Sequence, residues 1–215
     1  ILIIRMLYSI QCPETQDNSY IYYENNFIKN TDEMYNWLEL MDDFKDGEIY
    51  NRPIDRLQKW YQKDNKYFSS NWKVKYDRWK SHPYCDILLE FQNNIQSHVN
   101  DICDKNNINK VNINSCLINM YRNGDDIISK HIDNPVSFGE YPTIVLISIG
   151  EPRRLHFEKR CDNIEDKSFK LENGSILIMG GATQKCYTHC IKKEDSDKKR
   201  YSLTFRDFLC KNWNI

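Results

Sequence analysis

The chain has 215 residues, 40% of them apolar and 28% charged, with a net charge of −1. Fourteen Tyr, nine Phe and five Trp can furnish a large core, which excludes disorder over the whole length, and seven Gly with six Pro exclude a collagen-like or linker architecture. A near-neutral surface does not bind polyanions everywhere, so any nucleic-acid contact must be local. No run reaches the roughly 18 apolar residues that span a bilayer, and Ile1-Leu2-Ile3-Ile4 is too short for a signal-peptide core.

In chain order, Tyr20 to Tyr23 predicts a short strand. Thr31 and Asp32 can cap a helix in which Met34, Trp37, Leu38 and Met41 recur at helical spacing. An aromatic and basic stretch follows from Trp60 to Trp79. There Lys73, Lys75, Arg78 and Lys80 alternate with Trp72, Tyr76 and Trp79. The stretch reads first as a solvated amphipathic surface, with base stacking and phosphate pairing as the sharper alternative. A second helix is predicted from Pro83 to about Cys103, with Ile87, Leu88, Phe91, Ile95, Val99 and Ile102 as its apolar stripe and Pro83 in its first turn.

Beyond residue 110 the texture changes. Ser115 to Tyr121, Thr143 to Ile149, Leu155 to Glu158, Phe169 to Leu171, Ser175 to Met179 and Tyr201 to Phe208 are short apolar runs separated by turn residues. They predict a two-sheet sandwich or barrel, and the helices before them make the chain α+β with helices packed on one sheet. The division expected is 1–110, helices and a lid, against 111–215, the core, as one structural unit.

Eight cysteines at 12, 85, 103, 116, 161, 186, 190 and 210 show no CxxC pair. They are expected to be free thiols of a reducing, intracellular protein, nuclear or cytoplasmic. Cys186, His189 and Cys190 lack a fourth ligand at zinc-finger spacing. His82, His98 and His156 are expected in solvent or core, although His156 alternates with Arg154 and Glu158 and is a candidate to line a cleft.

The informative pattern is His131-Ile132-Asp133 with His189 far downstream. Residues i and i+2 of a strand share a side, so an HxD pair can grip one ion. Two neutral imidazoles and a carboxylate hold Fe(II) on one face of an octahedron. The pattern alone also fits surface or core histidines. Arg200, Ser202, Thr204 and Arg206 alternate on one strand face, as do Asn119 and Tyr121.

Around that pattern stand Leu117-Ile118-Asn119-Met120-Tyr121, Gly124-Asp125, and the block from Leu171 through Gly181-Ala182-Thr183-Gln184 to His189. Arg200-Tyr201-Ser202-Leu203-Thr204-Phe205-Arg206 follows. Together these resemble the AlkB family of Fe(II)- and 2-oxoglutarate-dependent dioxygenases over about residues 113 to 208. Arg56-Leu57, Trp60-Tyr61 and Tyr67-Phe68-Ser69 are similar, more loosely, to the family's nucleotide-recognition lid.

The resemblance implies a double-stranded β-helix (jelly-roll) core. It implies His131, Asp133 and His189 as Fe(II) ligands, with 2-oxoglutarate as cosubstrate and O2 as the oxidant. Arg200 would pair with the distal carboxylate of 2-oxoglutarate, with Arg206, Asn119 and Tyr121 positioning it. Phe68, with Tyr67 and Trp60, would stack on the target base or pack the lid. The implied reaction removes N-methyl groups of the 1-methyladenine and 3-methylcytosine type from DNA or RNA. It releases formaldehyde and converts 2-oxoglutarate to succinate. The implied partner is a nucleic acid with alkylated bases, expected to be single-stranded, met by a monomer with no membrane contact.

One departure stands out. Pro135 occupies the place where repair members carry an acidic residue against the cationic base, and Glu140 is the nearby substitute. The departure keeps open an oxygenase of protein or tRNA. A binding module without catalysis is the third reading.

Overall fold

The structure is a computed structural model that describes residues 3–42, 44, 48–49, 52–63 and 80–209. Tyr67, Phe68 and the part of the aromatic and basic stretch from 64 to 79 lie outside the described residues. The chain begins with strands β1 (Arg5–Gln11) and β2 (Asn18–Glu24), then helix α1 (Asp32–Glu39). The short strands β3 (Glu48–Ile49) and β4 (Arg52–Pro53) precede β5 (Leu57–Gln62) and helix α2 (Asp86–Asn106). Then come β6 (Ser115–Tyr121), β7 (Ile128–His131), α3 (Pro135–Phe138), β8 (Ile144–Gly150), β9 (Arg153–Lys159) and β10 (Lys167–Leu171). The last elements are β11 (Ser175–Gly181), α4 (Thr183–Cys186), β12 (Tyr187–Ile191) and β13 (Arg200–Arg206).

Two antiparallel sheets make the jelly roll. The larger has the order β1-β2-β11-β8-β13-β6-β5 and the smaller β10-β9-β12-β7. The parts expected to meet near residue 110 share the larger sheet, because β1, β2 and β5 extend it on both sides.

Side-chain alternation decides which face of each core strand meets the helices and which meets the cavity. On β13, Tyr201, Leu203 and Phe205 join Leu38 of α1 and Leu88, Ile95 and Val99 of α2 in one apolar cluster. The intervening Arg200, Ser202, Thr204 and Arg206 face the space between the sheets. Likewise Cys116 and Ile118 of β6 pack outward, while Leu117, Asn119 and Tyr121 face inward. A sheet covered on both faces has no solvent side to carry a polar alternation.

The helices correct three sequence expectations. Thr31 does not cap α1 through its side chain, since its hydroxyl accepts from Asn173 Nδ2 at 2.8 Å. Pro83 stays outside α2, whose N-cap is the extended Cys85, and the helix runs on to Asn106. Asn107 ends it in the left-handed region (φ 54°), which Asn tolerates better than most residues. Ile87 of the expected stripe is 51% exposed, and Gln92 is buried in the stripe's place.

Candidate active site

β7 and β12 pair so that His131 and His189 stand directly opposite, with ring centroids 4.3 Å apart. This pairing supplies what the sequence could only require, a second histidine delivered from a distant strand. Asp133 follows β7 by two residues, and its carboxylate Oδ2 lies 3.6 Å from His189 Nε2. One ligand atom from each of the three lies within 4.8 Å of the others. His131 Nδ1 donates to the Ser129 carbonyl at 2.8 Å, which leaves Nε2 as the ligand nitrogen. The Asp133 N–H donates to Gln184 Oε1, so α4 fixes the turn that presents the carboxylate.

The electrostatics suit a cation. Burial, aided by His131, pushes the His189 imidazole down to about 3, so it is neutral and carries no proton to displace. Burial lowers His131 in the same direction. For Asp133 burial acts upward, but Arg206 and the two histidines outweigh it and hold the carboxyl below its ordinary range. Asp133 Oδ1 is ion-paired with Arg206 Nη2 at 2.6 Å, while Oδ2 is buried with no partner among the described residues. An orphaned carboxylate oxygen between two imidazoles fits a metal ion.

At the other end of the same cavity sits Arg200, 1% exposed. Its Nε donates to Ser148 Oγ at 3.0 Å, and its guanidinium lies 4.9 Å from the Tyr121 ring centroid. Nη1 and Nη2 are both buried with no partner among the described residues. Two adjacent N–H groups of a planar fork left unpaired fit a bidentate carboxylate, the distal end of 2-oxoglutarate. The cavity encloses about 930 Å³, ample for a dicarboxylate with room for a further group.

Arg206 shares the face of Arg200, as the alternation predicts, but its guanidinium is engaged by Asp133 and stacks over Phe138, 4.9 Å from the centroid. Only its Nε is buried without a partner. Asn119 lines the cavity with Oδ1 accepting from Arg56 Nε (2.9 Å) and Gln58 Nε2 (2.8 Å), and with Nδ2 donating to Ser202 Oγ (3.3 Å). Tyr121 lies between Arg200 and Arg153, whose guanidinium is 5.7 Å from its ring.

Two sequence expectations are corrected here, and the cleft alternative for His156 is closed while its expected place outside the cavity stands. Trp60 is 1% exposed and packs edge-on against Phe208 at 5.2 Å, so its ring belongs to the core and does not line the cavity. Glu140 pairs with Lys185 Nζ at 2.7 Å on the surface and contributes nothing to the cavity wall. His156 does not line the cavity either; its neighbour Leu155 does, as strand alternation requires.

Sequence reasoning missed Arg153, which is as buried as Arg200. It donates to the carbonyls of Asn123, Gly124, Asp126 and Lys192, tying the loop after β6 to the end of β12. No sequence signal marks an arginine whose partners are backbone carbonyls. Arg56 was noticed only as part of a lid resemblance. Its contact with Asn119, and a second with the Ile127 carbonyl at 3.3 Å, place it in the cavity wall.

Comparison with known proteins agrees with this geometry. Residues 21–206 match the model of the 2OG-Fe(II) oxygenase superfamily. The alpha-ketoglutarate-dependent dioxygenase alkB homolog 3 of Bos taurus is 32% identical over 171 residues, which are 75% of this chain and 54% of that protein. The human protein of the same name is 36% identical over 102 residues, 43% of this chain and 36% of that protein. The DNA oxidative demethylase ALKBH2 of Arabidopsis thaliana is 28% identical over 116 residues, 43% of this chain and 37% of that protein. The chain thus spans about half the length of the bovine relative and less of the others. Among solved structures, OsALKBH1 superposes with a TM-score of 0.60 at 15% identity, over 87% of this chain and 96% of that one. A prolyl hydroxylase from Trichoplax adhaerens reaches 0.55 at 15% identity, over 89% of this chain and 84% of that one. These two likenesses speak to the fold.

Proposed function

This chain belongs to the 2OG-Fe(II) oxygenase superfamily, on its AlkB branch, and we propose that it oxidatively demethylates N-alkylated bases of DNA or RNA. The observation that carries the reading is the pairing, in one cavity, of a His-Asp-His ligand set with a buried guanidinium that has two unpaired nitrogens. Bound Fe(II) with 2-oxoglutarate and O2 supplies the oxidising chemistry, in which 2-oxoglutarate becomes succinate and an N-methyl group leaves as formaldehyde.

The protein's own part is position and exclusion. His131, Asp133 and His189 would hold the metal, whose remaining positions would serve cosubstrate and oxygen. Arg200 would pair with the distal carboxylate through Nη1 and Nη2, while Ser148 holds its Nε. Arg206 fixes the ligand carboxylate of Asp133. Leu146, Leu155, Met179 and Ile191 line the same cavity and keep it dry.

The substrate is inferred to be a base made cationic by alkylation, in single-stranded DNA or RNA, where flipping costs least. A cation at the cavity favours an opposing carboxylate. Pro135 supplies none, and its helix α3 is capped by Asn134, whose Oδ1 accepts from Val136 N at 2.9 Å. Asp55, exposed and on the cavity wall, is the carboxylate in place to do it. The test is formaldehyde release from 1-methyladenine and 3-methylcytosine oligonucleotides, single- and double-stranded, with Fe(II), ascorbate and 2-oxoglutarate. The expected result is release that His131→Ala abolishes and that Asp55→Asn weakens for cationic bases. Succinate formation without formaldehyde would favour the second reading, an oxygenase of protein or tRNA, for which Pro135 speaks.

A further inference from the structure

Away from the cavity, three thiols converge from segments far apart in sequence. Cys12 opens the turn between β1 and β2, where its N–H donates to the Asp17 carbonyl at 2.7 Å and its carbonyl accepts from Gln16 N at 2.8 Å. Cys161 lies in the turn between β9 and β10, and Cys186 ends α4. All three are buried and free, and their sulfur atoms lie within 4.8 Å of one another. A buried free cysteine is ordinarily a small apolar filler. Cys103 and Cys116 fit that description singly, each packed in the cluster beneath the helices, whereas Cys12, Cys161 and Cys186 sit together in the other apolar cluster, with Cys161 Sγ donating to the Cys186 carbonyl at 3.9 Å. Three sulfurs this close to one another are a candidate donor set.

We propose that Cys12, Cys161 and Cys186 form a second metal site, separate from the His-Asp-His set, for a thiophilic divalent cation of the Zn(II) class. Three thiolates and one further oxygen ligand, such as a water, would complete a tetrahedron. An odd number of mutually close thiols argues against a disulfide, which would consume two and strand the third.

The consequence is structural. The site would clamp the β1–β2 turn and the β9–β10 turn onto α4, and α4 carries Gln184, the acceptor for the Asp133 N–H. Arg160 N already donates to the Cys186 carbonyl at 2.7 Å, and Thr183 Oγ1 to the Tyr20 carbonyl at 3.0 Å, so the three segments are in register before any ion binds. This inference stands apart from the demethylase reading, because it requires neither activity nor 2-oxoglutarate.

Co(II) is the probe. The His131-Asp133-His189 set holds no sulfur, so thiolate-to-cobalt charge-transfer absorption reports the thiol cluster alone. With all thiols reduced, the full chain should take up one equivalent of Co(II) beyond the first site, show that band, and lose it when Zn(II) is added. Cys12→Ser, Cys161→Ser and Cys186→Ser should each abolish the band and weaken binding of the second equivalent at least about a hundredfold. A second readout needs no variant. Zn(II) should protect Cys12, Cys161 and Cys186 together from alkylation in mild urea, and leave the exposed Cys85 reactive. No charge-transfer band in the reduced chain, a band that survives all three substitutions, or alkylation of the three cysteines indifferent to Zn(II) would overturn the proposal.

Discussion

The two ends of the cavity each take an arginine from the same strand, β13, yet they treat those arginines in opposite ways. At the metal end Arg206 is consumed by Asp133, an ion pair sealed from solvent. At the far end Arg200 has one nitrogen tied to Ser148 and two left bare. A third buried arginine, Arg153, calibrates the difference, because backbone carbonyls take both of its terminal nitrogens, Nη1 and Nη2, and leave only Nε without a hydrogen bond. Burial of a guanidinium is therefore not itself a functional signal. What distinguishes a receptor from a brace is the count of its unpaired nitrogens, since the protein bears that desolvation cost only where a ligand offsets it.

Four experiments break or sharpen this contrast. The largest effect is expected from Asp133→Ala in the metal-free protein, which strands Arg206 as a buried unpaired charge. Urea unfolding should show a loss of about 3–5 kcal/mol.

Next is the pH dependence of metal-free stability. The unfolded chain protonates His189 near its ordinary 6.5, whereas the folded chain resists until about 3. Stability should thus be full above about 6.5 and fall as the pH drops toward 3, by on the order of a few kcal/mol. Asp133, depressed below 3.8, adds to the loss in the same direction at the acid end. Stability that is flat over this range in the wild type, measured by urea midpoints, would contradict the burial of the ligand set.

Third, Arg200→Met should raise metal-free stability by about 1–3 kcal/mol, the opposite sign from Asp133→Ala, because it removes bare buried nitrogens and keeps the packing. A loss of stability would mean that the nitrogens have partners. The smallest effect is Glu140→Ala, which removes a surface pair with Lys185. It should cost under about 1 kcal/mol and leave base preference unchanged. A changed preference would return Glu140 to the cavity.

How much of this was legible in the sequence depended on how far each signal reaches. The strands of the second half are legible because their residues are β-branched and apolar over short runs, and β6, β8, β11 and β13 lie where those runs fall. The metal set is legible as HxD plus a later histidine, although only the β7–β12 register brings His189 opposite His131. Strand β1, with burial that hardly alternates and much of its length exposed, carries no period to read. Strand β5 is equally hidden, because Gln58 and Gln62 are buried alongside Trp60 and Tyr61, and no local rule foretells buried glutamines. Trp60 shows the reverse failure, in which an aromatic assigned to the substrate is spent on Phe208. The roles of Arg153, Arg200 and Arg206 are set by partners brought together in space, which strand spacing alone does not reveal.

The most direct test of the central claim is titration of 2-oxoglutarate into the Mn(II)-loaded protein, comparing the wild type with Arg200→Met and Arg206→Met. The account predicts that Arg200→Met weakens 2-oxoglutarate binding by roughly ten- to hundredfold at unchanged Mn(II) affinity, whereas Arg206→Met weakens Mn(II) binding first. Equal 2-oxoglutarate affinity in the wild type and Arg200→Met, or binding that needs no metal, would contradict it.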